Sequence, residues 1–227
     1  MAEPDPDESP QLLTEEEIPD LERVGRVLRR EAGHMFMREG EPSDFVLLIR
    51  KGLVKVVSGK PERIVAFRGP GAIVGELGVL QRKPRTASVV AFEDEVVALH
   101  VYDAEYRRFL DDHPRAKDAL IIDLGNRLDE ATKKIRDSDL AVERRLAKAL
   151  AEQVALRPAI RNADGTATLR MPQKDLASLT GASVVAVKKA VKVFRDHGLI
   201  DSDGGTLHLR DIATLVDIAK GNPLTAG

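Results

Sequence analysis

The chain has 227 residues, enough for one or two domains with cores of their own, and a nearly balanced formal charge of −2. It contains no cysteine, which excludes disulfides, thiolate metal sites and cysteine-ligated iron–sulfur clusters. No apolar run approaches membrane-spanning length, and the beginning of the chain is acidic and proline-rich, so neither a signal peptide nor an anchor is expected and a cytoplasmic protein is.

Residues 1–20, with Pro4, Pro6, Pro10 and the run Glu15-Glu16-Glu17, read as a disordered acidic tail leading into a helix near Asp20 to Leu28. From there to residue 110, short apolar segments alternate with Gly- and Pro-bearing turns: Phe45–Ile49, Leu53–Val57, Ile64–Phe67, Val89–Ala91 and Val96–Val101. That spacing predicts an antiparallel β-roll. Past Pro114 the period lengthens, and Ile121, Leu124, Leu128, Ala131 and Ile135 follow one another at intervals of 3, 4, 3 and 4 residues. This is a coiled-coil seam, with Gly125 beside it to permit close approach of a second helix, and it predicts a dimerisation helix over 111–141. The alternative is an amphipathic helix packed on its own β-roll.

A hinge is expected over Ala141 to Arg145, and a last domain over 142–227. There, a helix from Arg144 to Ala155 precedes the turn signal Asn162-Ala163-Asp164-Gly165 and a short strand at Thr166–Arg170. In the next stretch, Gln173 to Ser183, Ala177 is small where two helices would cross, Gly181 makes the turn and Ser183 caps a helix running to His197. Leu176, Val187 and Ala190 would fill the space between the two. Asp203-Gly204-Gly205, between Leu199–Ile200 and Leu207–Leu209, adds a β-wing, and the fold class is α+β. Residues 1–141 hold 22 Lys/Arg against 28 Asp/Glu, or −6, whereas residues 142–227 hold 13 against 9, or +4, so only the last part is suited to a polyanion.

Two stretches carry chemistry. Gly75-Glu76-Leu77-Gly78 lets the chain turn tightly after Ala72-Ile73-Val74 and open a short helix, whose free amides favour an anion. Arg85 brings a planar, permanently charged fork for two phosphate oxygens, Thr86 a hydroxyl and an amide, and Ala87 continues the segment. Glu76 repels a phosphate, so its partner is a sugar hydroxyl, unless it closes on Arg85 as an ion pair without ligand. The two helices across Gly181 make a helix-turn-helix, and on the second of them Val184 and Val185 can press on thymine methyls but cannot report a guanine, while Lys188, Lys189 and Lys192, with Ser183 and Gln173, offer contacts to DNA. Enzymatic readings find little: Gly69 to Gly75 has no βαβ unit after it, the five histidines lack metal-ligand spacing, and no nucleophile has a matched base.

The Gly75 to Val89 segment resembles the phosphate-binding cassette of cyclic-nucleotide-binding domains, as do the turns at Gly40-Glu41-Pro42-Ser43-Asp44 and Gly52 to Val56. The order of β-roll, seam helix and winged helix-turn-helix resembles the CRP/FNR family of bacterial transcription regulators. The resemblance implies a homodimer that binds double-stranded DNA under control of a cyclic nucleotide, with Glu76 on the ribose 2′-hydroxyl, Arg85 on the phosphate and Thr132 facing the base. It admits RNA polymerase as a partner and requires no metal or cofactor. Cyclic AMP is the first choice of ligand. Ala131, where a hydroxyl-bearing residue is usual, and Thr86, which can serve a guanine, leave cyclic GMP open. The family's readers usually carry Arg-Glu where Val184-Val185 stand. The rival readings are a regulator of the same fold that ignores nucleotides and a nucleotide-binding adaptor that uses the valine-bearing helix on a protein partner.

Overall fold

The structure, a computed structural model, describes residues 12–42, 44–157 and 160–222. They form two compact units, the first of residues up to 59 with 65–133, the second of 60–64 with the chain from 134 onward.

The first unit, which shares the start of β5 and the end of α4 with the second, runs α1 (Ile18–Val24), β1 (Arg26–Arg30), β2 (Met35–Met37), β3 (Phe45–Lys51), β4 (Val54–Ser58), β5 (Arg63–Arg68), β6 (Ile73–Val74), α2 (Glu76–Gln81), β7 (Ser88–Ala91), β8 (Val96–Tyr102), α3 (Asp103–Asp112) and α4 (Pro114–Asp137). The strands make two four-stranded sheets, ordered β1-β8-β3-β6 and β2-β7-β4-β5. Leu47, Ile49, Val74, Val96 and Ala98 of one sheet and Met37, Val54, Val89 and Ala91 of the other bury their side chains in a common core. The alternate residues Val46, Leu48, Leu99 and Val101 join Leu21 of α1, Tyr106, Phe109 and Leu110 of α3, and Ala116 and Leu120 of α4 in a second core. The first sheet is therefore covered on both faces, which is why β3 reads as an unbroken apolar run instead of alternating.

Three expectations for the first unit are corrected. The helix expected over Asp20 to Leu28 is α1 followed by a strand: Arg26–Arg30 pairs with β8 from Arg26↔His100 to Arg30↔Val96. Gly25 separates the two and lets the chain approach the sheet, since a Cβ there would lie 2.6 Å from Leu99 Cγ. The acidic tail does not extend to residue 20, because Leu13 is buried in the second core and the Glu17 carboxylate accepts hydrogen bonds from Arg115 of α4. Those bonds lower the Glu17 pKa to about 2. Residues 1–11 of the expected tail lie outside the described residues.

The seam is the third correction. Ala116, Ala119 and Leu120 are buried and Leu124 packs half-buried against the same core, so the first half of α4 lies on its own β-roll as the simpler alternative required. Leu124 thus leaves the seam. Ile121, Leu128 and Ile135 remain, 62%, 68% and 74% exposed, with Ala131 exposed among them and open space where a Gly125 side chain would be.

The second unit contains α5 (Val142–Leu156), β9 (Ala167–Arg170), α6 (Gln173–Thr180), α7 (Val184–Asp196), β10 (Ile200–Asp203), β11 (Thr206–Leu209) and α8 (Ile212–Lys220). The irregular segment is 138–141, not the expected 141–145, because Ala141 is already the N-cap of α5. The strands form an antiparallel sheet in the order β10-β11-β9, closed at its tip by Gly204-Gly205 between the paired Asp203 and Thr206. Leu146 and Leu150 of α5, Leu176 of α6, and Val187, Ala190 and Phe194 of α7 are buried.

Candidate functional site: a nucleotide cassette and a DNA-reading helix

In the first unit the residues from Gly75 to Ala87 come together around two buried charges. Gly75 is the N-cap of α2 at φ +88°, a left-handed conformation that a side chain rarely adopts, and a Cβ there would lie 2.6 Å from both Arg85 Nη1 and Met37 Cε. Arg85 is buried; its Nη1 donates to the Gly75 carbonyl at 3.0 Å and its guanidinium sits 4.4 Å above the Phe45 ring. The Phe45 ring in turn stacks on His100 at 4.3 Å. The predicted Gly40-Glu41 turn fixes the approach, with Gly40 N donating to Arg85 O at 2.9 Å and Arg85 N to Glu41 O at 2.8 Å. Burial weakens the hold of the Arg85 guanidinium on its proton, and Nη2 is buried without a hydrogen-bond partner. A charged donor left unpaired in a protein interior is costly, and Arg127 Nε and Arg145 Nε are likewise buried without a hydrogen-bond partner.

Glu76 is also buried, but it does not pair with Arg85. Arg127 of α4 donates from Nη1 to Glu76 Oε1 at 2.8 Å and from Nη2 to Ile73 O at 2.7 Å, and Nη2 stands 2.7 Å from Asp123 Oδ2. Burial raises the Glu76 pKa and the Arg127 charge opposes that rise. The closed Glu76–Arg85 pair entertained from the sequence is therefore not formed. Arg127 is the residue that sequence reasoning missed: 51 positions separate it from Glu76, and its only local mark is the i, i+4 pair with Asp123. Of the remaining predicted residues, Gly78 is buried, Leu77 and Ala87 are half-buried, and Thr86 is exposed. Thr132 is exposed on α4 and its hydroxyl donates to Leu128 O of the same helix at 2.9 Å. The Tyr106 hydroxyl is buried without a partner, and burial raises its pKa.

Gly75→Ala is expected to disturb this arrangement twice, through about 1–2 kcal/mol of left-handed backbone strain and by pushing Arg85 aside. The melting temperature should fall by about 2–8 °C, and any anion bound through Arg85 should bind more weakly. Unchanged melting would show that the turn relaxes without cost.

In the second unit, α6 ends on Gly181 at φ +62°, with Ala182 N donating to Ala177 O at 3.0 Å. Ser183 then caps α7, its hydroxyl accepting from Ala186 N at 3.1 Å. With Val187, Ala190, Val191 and Phe194 turned inward, the outer face presents Val184 and Val185, 40% and 65% exposed, and the exposed Lys188, Lys189 and Lys192. Lys192 is ion-paired with Asp196, and Gln173 stands half-buried at the first position of α6. Two helices joined by a glycine turn, with a basic outer face on the second and a three-stranded sheet beside them, make a winged helix-turn-helix.

Known proteins match both units. The cyclic nucleotide-binding domain family matches residues 27–113, and the Crp-like helix-turn-helix domain family matches residues 144–218. A CRP-like cAMP-activated global transcriptional regulator of Mycobacterium tuberculosis is 30% identical over 193 residues, 83% of this chain and 85% of that protein. The chain belongs to the CRP/FNR family of transcription regulators. A cyclic AMP receptor protein of Thermus thermophilus is 28% identical over 195 residues, 83% of this chain and 86% of its own. Among solved structures, the c-di-GMP responsive global regulator CLP of Xanthomonas campestris superposes with a TM-score of 0.76 at 20% identity, covering 87% of this chain and all of the other, a likeness of fold. This CRP/FNR member is a DNA-binding regulator with a cyclic-nucleotide-binding domain, not an enzyme. Among the described residues no helix is long and apolar enough to cross a membrane, and no group of His, Asp or Glu is arranged to hold a metal ion.

Proposed function

We propose that this regulator is a cytoplasmic homodimer whose affinity for DNA is set by cyclic AMP bound at the cassette. The observation that carries the ligand reading is Arg85 Nη2, a buried charged donor without an acceptor, close to a carboxylate that can accept from a ribose hydroxyl. Both terminal nitrogens of Arg127 are engaged, by Glu76, Asp123 and the Ile73 carbonyl, which favours Arg85 for a single cyclic phosphate. The choice of cyclic AMP is supported by the two relatives named for it, which align along most of the chain. Thr132 would have to release the Leu128 carbonyl to meet the base. Regulation would follow from population shift: a nucleotide that binds the DNA-competent state better by about 1–3 kcal/mol changes DNA affinity by about 5- to 150-fold. Calorimetric titration with cyclic AMP, cyclic GMP and c-di-GMP in parallel is the test. Heat with cyclic AMP alone supports the proposal, preference for another nucleotide corrects the ligand, and no heat with any of them returns the protein to a nucleotide-independent regulator.

The reading face of α7 assigns different tasks to its side chains. Val184 and Val185 lie where base edges are reached and favour thymine methyls, while Lys189 is the strong donor beside them. The site should be a two-fold repeat without the family's usual guanine-dependent signature. Lys189→Ala is expected to relax sequence preference. Lys192→Ala should weaken all sequences alike and reduce the salt slope by about 1. Sequence selection from a random duplex pool checks both, and recovery of the family's usual site at full affinity would remove the valines from the reading. RNA polymerase is proposed as the partner downstream of DNA. Capture of a protein without DNA would favour the adaptor reading.

A further inference from the structure

The first two turns of α5 contain a local contradiction. Arg144 and Arg145 occupy the first turn and Lys148 the next, although positive charge at a helix N-terminus opposes the helix dipole, and Glu143 offsets it only once. Each of the three side chains reaches the carboxyl end of a different helix. Lys148 pairs with Asp137, the last residue of α4. Arg144 donates from Nε to Ala219 O at 3.2 Å and from Nη2 to Lys220 O at 3.0 Å, at the end of α8. Arg145 donates from Nη1 to Thr180 O at 2.9 Å, at the end of α6. Helix carboxyl ends leave carbonyls unpaired and attract positive charge, so what is unfavourable for α5 is favourable for α8 and α6 through the two arginines, while Lys148 neutralises the carboxylate that ends α4.

The Arg145 contact stands out because of where it falls. Ala177 O and Ser178 O at the end of α6 are taken by the amides of Ala182 and Gly181, and the Thr180 hydroxyl is spent on Leu176 O at 2.7 Å, which leaves the Thr180 carbonyl to the guanidinium. Thr180 is three residues before the Ser183 cap that starts α7. One turn further along α5, Lys148 holds the residue that ends α4. We infer that Arg145 is a positioning residue for the DNA-reading helix, fixing the turn before α7 to the helix that follows α4 directly. It touches neither base nor phosphate in this role, and the role does not depend on which nucleotide the first unit binds.

The test uses the full chain and a duplex selected by the wild-type protein. Arg145→Met keeps the apolar stem and removes the charged donor, and Arg145→Lys restores a charge at the Thr180 carbonyl. Positioning predicts that the methionine variant binds the duplex about tenfold more weakly, with the salt slope of the wild type, and that lysine recovers most of the loss. Wild-type affinity in the methionine variant would overturn the inference. A salt slope reduced by about 1 would do so too, because Arg145 would then be a phosphate contact. Should the methionine variant lose its circular dichroism, the lysine variant decides: folded and within about threefold of wild type it supports the inference, folded and tenfold weaker it overturns it.

Discussion

Arg85→Ala should abolish measurable nucleotide binding, a loss of at least about 100-fold, while leaving the oligomeric state unchanged. The magnitude follows from two charge-assisted hydrogen bonds at about 1.5–3 kcal/mol each. The terminal nitrogens of Arg127 are held by Glu76, Asp123 and the Ile73 carbonyl. Arg85→Lys should recover only part of the affinity, since an ammonium supplies the charge without the fork and cannot stack on Phe45 in the same way. Glu76→Gln should weaken binding less, by about tenfold, because a carbonyl oxygen can still accept from a ribose hydroxyl and Arg127 retains Asp123. Calorimetry on the three variants gives the ranking, and full affinity in Arg85→Ala would place the phosphate elsewhere.

Leu128→Glu is expected to give a folded monomer that has lost DNA binding. Leu128 lies between Ile121 and Ile135, seven residues from each, and all three are largely exposed on a helix whose first half alone is packed on its own unit, through Ala116, Ala119 and Leu120. In the proposed homodimer a carboxylate there would face its own copy across a two-fold axis, while costing the isolated chain little because the position is exposed. Two linked readers on half-sites about 34 Å apart gain about 10²- to 10⁴-fold over one, so the monomer should fall by that factor. Leu124→Glu is the informative contrast: Leu124 packs against its own unit, and its substitution should lower the melting temperature. Light scattering and thermal melting separate the two effects, and a Leu128→Glu variant that remains dimeric would move the interface off α4.

Much of the molecule was legible in the order of its residues. The strands at Phe45, Leu53, Ile64, Val89 and Val96, the cap at Ser183, the turn at Gly181 and the outward lysines of α7 are all set by local chemistry, meaning β-branched runs, cap hydroxyls, left-handed glycines and helical period. The cassette was legible for the same reason, because Gly75, Glu76 and Arg85 lie within eleven residues. What required the tertiary structure involves partners far apart in sequence. Arg26–Arg30 is a strand because β8 offers it a ladder, against the helical reading of the same residues. The heptad on α4 mixes two faces, and only the position of the β-roll reveals that Leu124 belongs to one and Leu128 to the other. Glu76 turns to Arg127 and not to Arg85 because the approach of α4 brings that guanidinium within hydrogen-bonding distance, whereas Arg85 is held by the Gly75 carbonyl and the Phe45 ring. The basic start of α5, locally unfavourable, is explained by the three helix ends that converge on it. Local periodicity and capping fix elements, but which of two charged or apolar partners a side chain meets is settled by geometry that no local pattern encodes.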